Sequence, residues 1–118
     1  MRLLCALVLV LSVGACNYAV SDIATVPANP TYDKDVRPLL ADHCLLCHGA
    51  RPDRGSPSYL RLDVYDDENN ILGAKSEGER ILFRVQQGTM PPAARNGDGV
   101  GPNGTKMLEN WVNNGKPR

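Results

Sequence analysis

Cys44-Leu45-Leu46-Cys47-His48 constrains this chain more than any other stretch. Two thiols two residues apart, with histidine next, is the attachment pattern of c-type haem. Each thiol adds to one vinyl group of the porphyrin, so the two sulfurs must reach opposite sides of one ring edge. The residue after the second cysteine then lies under the iron, where the His48 imidazole can take the proximal axial position. A thioredoxin-like dithiol uses the same spacing but sits near a βαβ pattern, which is missing here. A zinc site draws four ligands, usually from two separated pairs. His43, Cys44, Cys47 and His48 all lie in one short segment, too short to wrap a tetrahedral ion. Inert buried cysteines are the remaining reading. The motif occurs once, and the chain has no internal repeat.

The N-terminus reads as an export signal over residues 1–15. Arg2 supplies a positive start, Leu3 to Val13 form an apolar run, and Gly14 and Ala15 are small, as a cleavage site requires. The run is too short to span a bilayer as a helix. Val13-Gly14-Ala15-Cys16 resembles the bacterial lipoprotein signal, in which the cysteine is lipidated and becomes the new N-terminus. Several acyl chains on Cys16 would anchor the protein stably, whereas one chain alone is marginal. The alternative is an ordinary secretory signal and a soluble periplasmic product. All four cysteines are then assigned. Cys5 leaves with the signal, Cys16 carries lipid, and Cys44 and Cys47 carry haem.

Residues 16–30 read as a lipidated N-terminus followed by a flexible tether. They lack helical or strand period, and Pro27 and Pro30 discourage regular structure. Asn17 to Pro30 could extend at most ~50 Å. A short strand at Ile23 to Val26 is a further possibility in this stretch.

Residues 31–118 form one small domain, long enough for a single core. A domain this size benefits from a staple, and a covalently held apolar macrocycle at its centre meets that need. Three helices are predicted. The first spans Thr31 to Cys47, with Thr31 as N-cap, Val36, Leu39 and Leu40 inward, and a kink or restart at Pro38. The second spans Ser76 to Gln87, with a Ser76/Glu79 capping box, Ile81, Leu82 and Val85 inward, and Gly88 as the stop. The third spans Thr105 to Asn114, with Met107, Leu108, Trp111 and Val112 inward and Gly115 closing it.

Met90 is the expected second axial ligand. It lies in Gly88-Thr89-Met90-Pro91-Pro92, 42 positions after His48. Its thioether is a soft, neutral donor, and Pro91 restricts the Met90 backbone to extended geometry. Met/His ligation is a common electron-transfer pairing. Met107 is the competitor, but its helical position suits core packing. His43 shares the His48 segment and cannot easily reach the opposite haem face. It reads as a surface or capping residue.

These segments resemble class I cytochromes c and, more closely, the short planctomycete-type cytochrome C domains. The resemblance rests on Tyr32-x-x-Asp35-Val36-x-Pro38-Leu39-Leu40, Cys44-x-x-Cys47-His48-Gly49, Leu60-Arg61-Leu62-Asp63, Arg84-Val85-x-x-Gly88-Thr89-Met90-Pro91-Pro92 and Leu108-x-x-Trp111-Val112-x-x-Gly115. It covers nearly all of residues 31–118. It implies an all-α class I cytochrome c fold, with terminal helices packed together and one haem between them.

Other features weigh less. The whole chain carries 13 basic and 13 acidic residues, which argues against nucleic acid as a partner. Asp63, Asp66, Asp67 and Glu68 read as a solvated acidic loop that could steer a basic redox partner. Asn96-Gly97-Asp98-Gly99 is similar to a calcium loop but lacks the downstream carboxylates. Arg80 and Arg84, one turn apart, are candidate contacts for haem propionates. The expected product is a monomeric one-electron carrier of redox partner proteins, outside the cytoplasm on the periplasmic side of a bacterial membrane, and not an enzyme. The alternative is a peroxidase-like haem enzyme or gas sensor, which needs a displaceable sixth ligand.

Overall fold

Proline 38 decides how the first helical segment is built. Its ring clashes with the carbonyl four residues back, and it has no N–H to donate. The computed structural model, which describes residues 22–51, 57–92 and 99–118, resolves this by changing helix type just upstream. Tyr32–Val36 forms a π-helical turn, in which Val36 N–H bonds to the Thr31 carbonyl at 3.1 Å. Helix α1 then runs over Arg37–His43, with Pro38 in its first turn. Cys44 departs from helical geometry (φ −125°), and α2 restarts over Leu45–His48. The single helix expected over Thr31 to Cys47 is therefore three segments. Thr31 makes no side-chain cap; instead its N–H donates to Asp35 Oδ2 at 2.9 Å.

Helix α3 spans Gly78–Gln86 and α4 spans Gly101–Asn113. The described residues are all-α, with only isolated bridges pairing Leu60 with Leu72 and Glu68 with Ile71. The Ser76/Glu79 capping box does not form. Ser76 Oγ donates to Asp67 Oδ1 at 2.6 Å, and α3 starts two residues later than expected. Both long helices end as their glycines predict. Gly88 (φ +67°) and Gly115 (φ +81°) take the left-handed conformation. Thr89 and Lys116 N–H groups reach back to the Arg84 and Trp111 carbonyls at 3.0 and 2.8 Å, closing a Schellman motif at each end.

Helix α4 organises the core. It buries Met107, Leu108 and Trp111 against Val36, Leu39 and Leu40 from the first segments and Ile81 from α3. The irregular segment 57–75 adds Leu62 and Ala74. Tyr32 lies between Tyr65 and Trp111, with ring centroids 5.3 and 6.3 Å away. The Pro117 carbonyl accepts from both Tyr32 N–H and Trp111 Nε1, each at 2.9 Å, which ties the two ends of the domain together.

The stretch upstream of Thr31 is not free over residues 22–30. Asp22 caps α4: its carboxylate accepts from the Asn103 and Gly104 amides, both at 2.9 Å. Asn103 and Asn110 on α4, and Asn114 at its C-terminal cap, then donate to the carbonyls of Ile23, Pro27 and Ala28. Ile23 and Val26 pack on the core, Pro30 is fully buried, and no strand forms at Ile23 to Val26. Over residues 22–30 the stretch expected to be a tether is bonded to the domain, because hydrogen-bond partners at α4 satisfy a backbone that has no regular structure of its own. The same cap explains why α4 begins four residues before Thr105. Residues 1–21, with Cys5 and Cys16, lie outside the described residues, as do Asn96, Gly97 and Asp98 of the calcium-like loop.

The Asp22 cap makes a prediction. Asp22→Ala should cost about 1 kcal/mol, a Tm decrease of roughly 4–8 °C. Burial raises the Asp22 carboxyl, but the amides of Asn103, Gly104 and Ile23 outweigh it and hold the group below its ordinary 3.8. The unfolded chain therefore binds this proton first as pH falls. The cap's contribution is complete above the ordinary carboxylate range and is lost as pH drops through the lowered folded value. Wild type should lose stability more steeply than Asp22→Ala below about pH 4, as read by thermal melts across pH. Parallel curves would exclude the cap.

Candidate haem-attachment site

Both thiols and the imidazole rise from one turn. Cys47 and His48 N–H groups both bond to the Cys44 carbonyl, at 3.1 and 2.8 Å. Positions three and four apart share a helix face, so Cys44, Cys47 and His48 lie side by side. Both cysteines are half-buried free thiols. The chain must then turn sharply under the site. A Cβ on Gly49 would stand 2.5 Å from the Leu45 carbonyl oxygen, so only glycine fits after His48.

Two further bonds hold this turn. The His48 carbonyl accepts from Leu62 N–H at 2.8 Å, and the Leu62 carbonyl accepts from the buried Tyr32 hydroxyl at 2.8 Å. The loop residue Leu62 thus links the motif to the aromatic core. Sequence reasoning noted Leu60-Arg61-Leu62-Asp63 only as a pattern. Nothing in its composition signals that its backbone would hold the His48 turn.

Burial pushes the Cys44 thiol up to about 12, with the neighbouring Cys47 adding to the shift. Such a thiol is not the stabilised thiolate of a redox dithiol. Burial lowers the His48 imidazole, which keeps it neutral at pH 7. His48 Nδ1 is buried and has no hydrogen-bond partner among the described residues. An orphaned buried nitrogen is uncommon and asks for a functional reason. Among the described residues, no three His, Cys, Asp or Glu side chains group so as to hold a metal ion by themselves.

Met90 follows the Schellman turn that ends α3. Its N–H shares the Arg84 carbonyl with Thr89, at 3.3 Å, and a cis peptide joins it to Pro91. It is 40% exposed, whereas Met107 is 2% exposed in the core. Met107 is thus core filler. The structure joins Cys44, Cys47 and His48 on one turn, while Met90 stands apart on a separate loop. Leu46, Tyr59 and Phe83 are also large apolar side chains left exposed.

The two arginines differ. Arg80 Nη1 lies 3.3 Å from the nearly buried Glu77 Oε2, although no aligned hydrogen bond reaches that oxygen. Arg84 is exposed, and its main-chain carbonyl is used by the helix stop. His43 is half-buried at the end of α1. The acidic loop is largely engaged in structure. Asp63 pairs with Arg61 at 2.5 Å, Asp66 lies 3.9 Å from Lys75, and Asp67 accepts from Gly73 N–H and Ser76. An open depression lined by Tyr59, Asp67, Glu68, Asn69, Asn70, Ile71 and Leu72 does not include the Cys-x-x-Cys-His turn.

No protein-family model matches the chain, and no curated protein or solved structure is detectably similar to it.

Proposed function

We propose that this protein is an exported, lipid-anchored monohaem c-type cytochrome of the class I fold that carries single electrons between redox partners. The observation that carries the reading is the α2 turn: two unpaired thiols and a neutral imidazole on one face, with Nδ1 buried and orphaned. These residues fit a haem. Cys44 and Cys47 would attach it, and His48 would ligate its iron. A ligating imidazole is oriented by a hydrogen bond from its second nitrogen; Nδ1 of His48 makes none among the described residues, so burial alone holds the ring.

Bound haem supplies an iron centre that changes charge by one electron. This chain's residues hold and orient it. The Leu62–His48 and Tyr32–Leu62 bonds keep the proximal turn rigid, and the Schellman turn after α3 fixes the base of the Met90 loop. Met90 is the proposed second ligand, with Arg84 and Arg80 as candidate propionate contacts. Arg80 must first exchange Glu77 for that role. Partner contacts are small and transient, as for other redox encounters.

The test is covalent attachment. In cells competent for haem attachment, colour should stay with the polypeptide through acid-acetone extraction and denaturing electrophoresis. Cys44→Ala with Cys47→Ala should lose it. A colourless wild-type protein would refute the proposal. For the anchor, Cys16→Ser should change both membrane fractionation and the mature mass, with the acyl mass absent. An unmodified wild-type N-terminus leaves a soluble exported carrier.

The alternative reading is a haem sensor or peroxidase-like enzyme whose sixth ligand is displaced by a small molecule. Carbon monoxide binding to ferrous wild type separates the two readings.

A further inference from the structure

Asp63, Asp66, Asp67 and Glu68 crowd four carboxylates into one loop, and the fold divides them into two pairs. Asp63 is neutralised by Arg61, whose Nε and Nη2 donate to it at 3.0 and 2.5 Å. Asp66 lies 3.9 Å from Lys75 and 4.0 Å from Arg118. Among the described residues, no Lys or Arg nitrogen comes within 4.0 Å of Asp67 or Glu68. The Ser76 hydroxyl and the Gly73 amide hold the Asp67 carboxyl below its ordinary value, so it stays ionised. The two uncompensated carboxylates both line the open depression that also contains Tyr59, Ile71 and Leu72.

The walls of this depression are preset. Glu68 and Ile71 exchange both main-chain hydrogen bonds, at 3.0 and 2.8 Å, around Asn69 and Asn70 (φ +50° and +65°). Positive φ at both central residues makes this a two-residue hairpin turn of the primed kind. Tyr59, 54% exposed, is fixed through its carbonyl, which accepts from Leu72 N–H at 2.6 Å. An aromatic face, two partly exposed aliphatic side chains and two free carboxylates suit the apolar stem and charged head of a lysine or arginine. The depression is also joined to the Cys-x-x-Cys-His turn. The Leu72 carbonyl accepts from Arg61 N–H at 3.0 Å, and the next amide, Leu62 N–H, donates to the His48 carbonyl at 2.8 Å. Two hydrogen bonds and one residue of chain separate them. We propose that this depression is the docking surface for a basic redox partner protein, which seats a lysine or arginine side chain against Tyr59, Asp67 and Glu68. The proposal rests on the electron-carrier reading and adds to it where the partner sits and what charge it carries. Such a contact is steered by charge and weakens as salt rises.

Two measurements on the full-length, haem-loaded protein test this. Tetralysine titrated into the nitrogen-15-labelled ferrous protein should shift the amides of Tyr59 and Glu68 to Leu72 and few others. The second measurement is the rate at which tris(phenanthroline)cobalt(III), a cationic aromatic oxidant, takes one electron from the ferrous protein and becomes cobalt(II). Tyr59→Ala and Glu68→Gln should each slow it several-fold. Both side chains are exposed, so thermal melts should change little. Oxidation by the anion hexacyanoferrate(III) should not slow in either variant. Cobalt rates equal to wild type in both variants overturn the proposal, as does a tetralysine map centred elsewhere. Shifts that grow with protein concentration in the absence of peptide assign the depression to a second copy of the chain and overturn it too. A protein that carries no haem refutes the carrier reading instead, and the tetralysine map on that same protein still decides whether the depression takes a basic ligand.

Discussion

On the proposed haem ligation, Met90→Ala is expected to open the sixth coordination position without unfolding the protein. Met90 is 40% exposed and outside the core, so truncating it removes little buried surface. Wild type should be low-spin in both oxidation states, show the weak far-red sulfur-to-iron band when ferric, and bind carbon monoxide poorly when ferrous. Met90→Ala should lose the band, bind carbon monoxide and fall in reduction potential by a sizeable part of the ~0.8 V that axial ligands span. Met107→Ala provides the contrast. Its side chain is 2% exposed, so it should cost about 2–5 kcal/mol of stability and leave the band intact. Loss of the band in Met107→Ala would reassign the ligand. A high-spin wild type that takes up carbon monoxide readily would favour the sensor or enzyme.

Trp111→Ala is expected to produce the largest loss of stability. Trp111 has no exposed surface, contacts the Tyr32 ring and donates Nε1–H to the Pro117 carbonyl. Truncating a buried tryptophan costs about 3–5 kcal/mol, against a total of about 5–15 kcal/mol for a small domain. The effect should appear as a large fall in urea midpoint with little change in slope. Trp111→Phe keeps most of the volume but not the donor. Pro117 still accepts from Tyr32 N–H, so this variant should lose only about 1–2 kcal/mol. Equal losses in both variants would mean that the hydrogen bond, and not packing, dominates the site.

Local chemistry was legible from the chain itself. The spacing of Cys44, Cys47 and His48 is a property of a single helical turn, so it needs no tertiary information. The ends of α3 and α4 were equally legible, because Gly88 and Gly115 adopt a left-handed conformation whose cost for other residues is local. The inward faces of α3 and α4 followed largely from period: Ile81, Met107, Leu108 and Trp111 are buried, while Leu82, Val85 and Val112 are only partly buried against the core. The restart expected at Pro38 matches the start of α1 at Arg37, since the ring and the missing donor act locally.

Helix starts were less legible, since their partners are distant in sequence. Ser76 has the residue type of a cap, yet Asp67 takes its hydroxyl, and a competitor nine positions away is invisible to a local pattern. The start of α4 is set by Asp22, more than eighty residues away. The arm over residues 22–30 has the composition of a tether. Composition reports only what a segment can do alone, and this one is ordered by three asparagines on another element. The same reason applies to Leu62, whose main chain joins His48 to Tyr32. Short-range covalent geometry and helix periodicity are written in neighbouring residues. Which carbonyl meets which donor across the fold depends on packing the whole chain at once, and only the tertiary structure decided it.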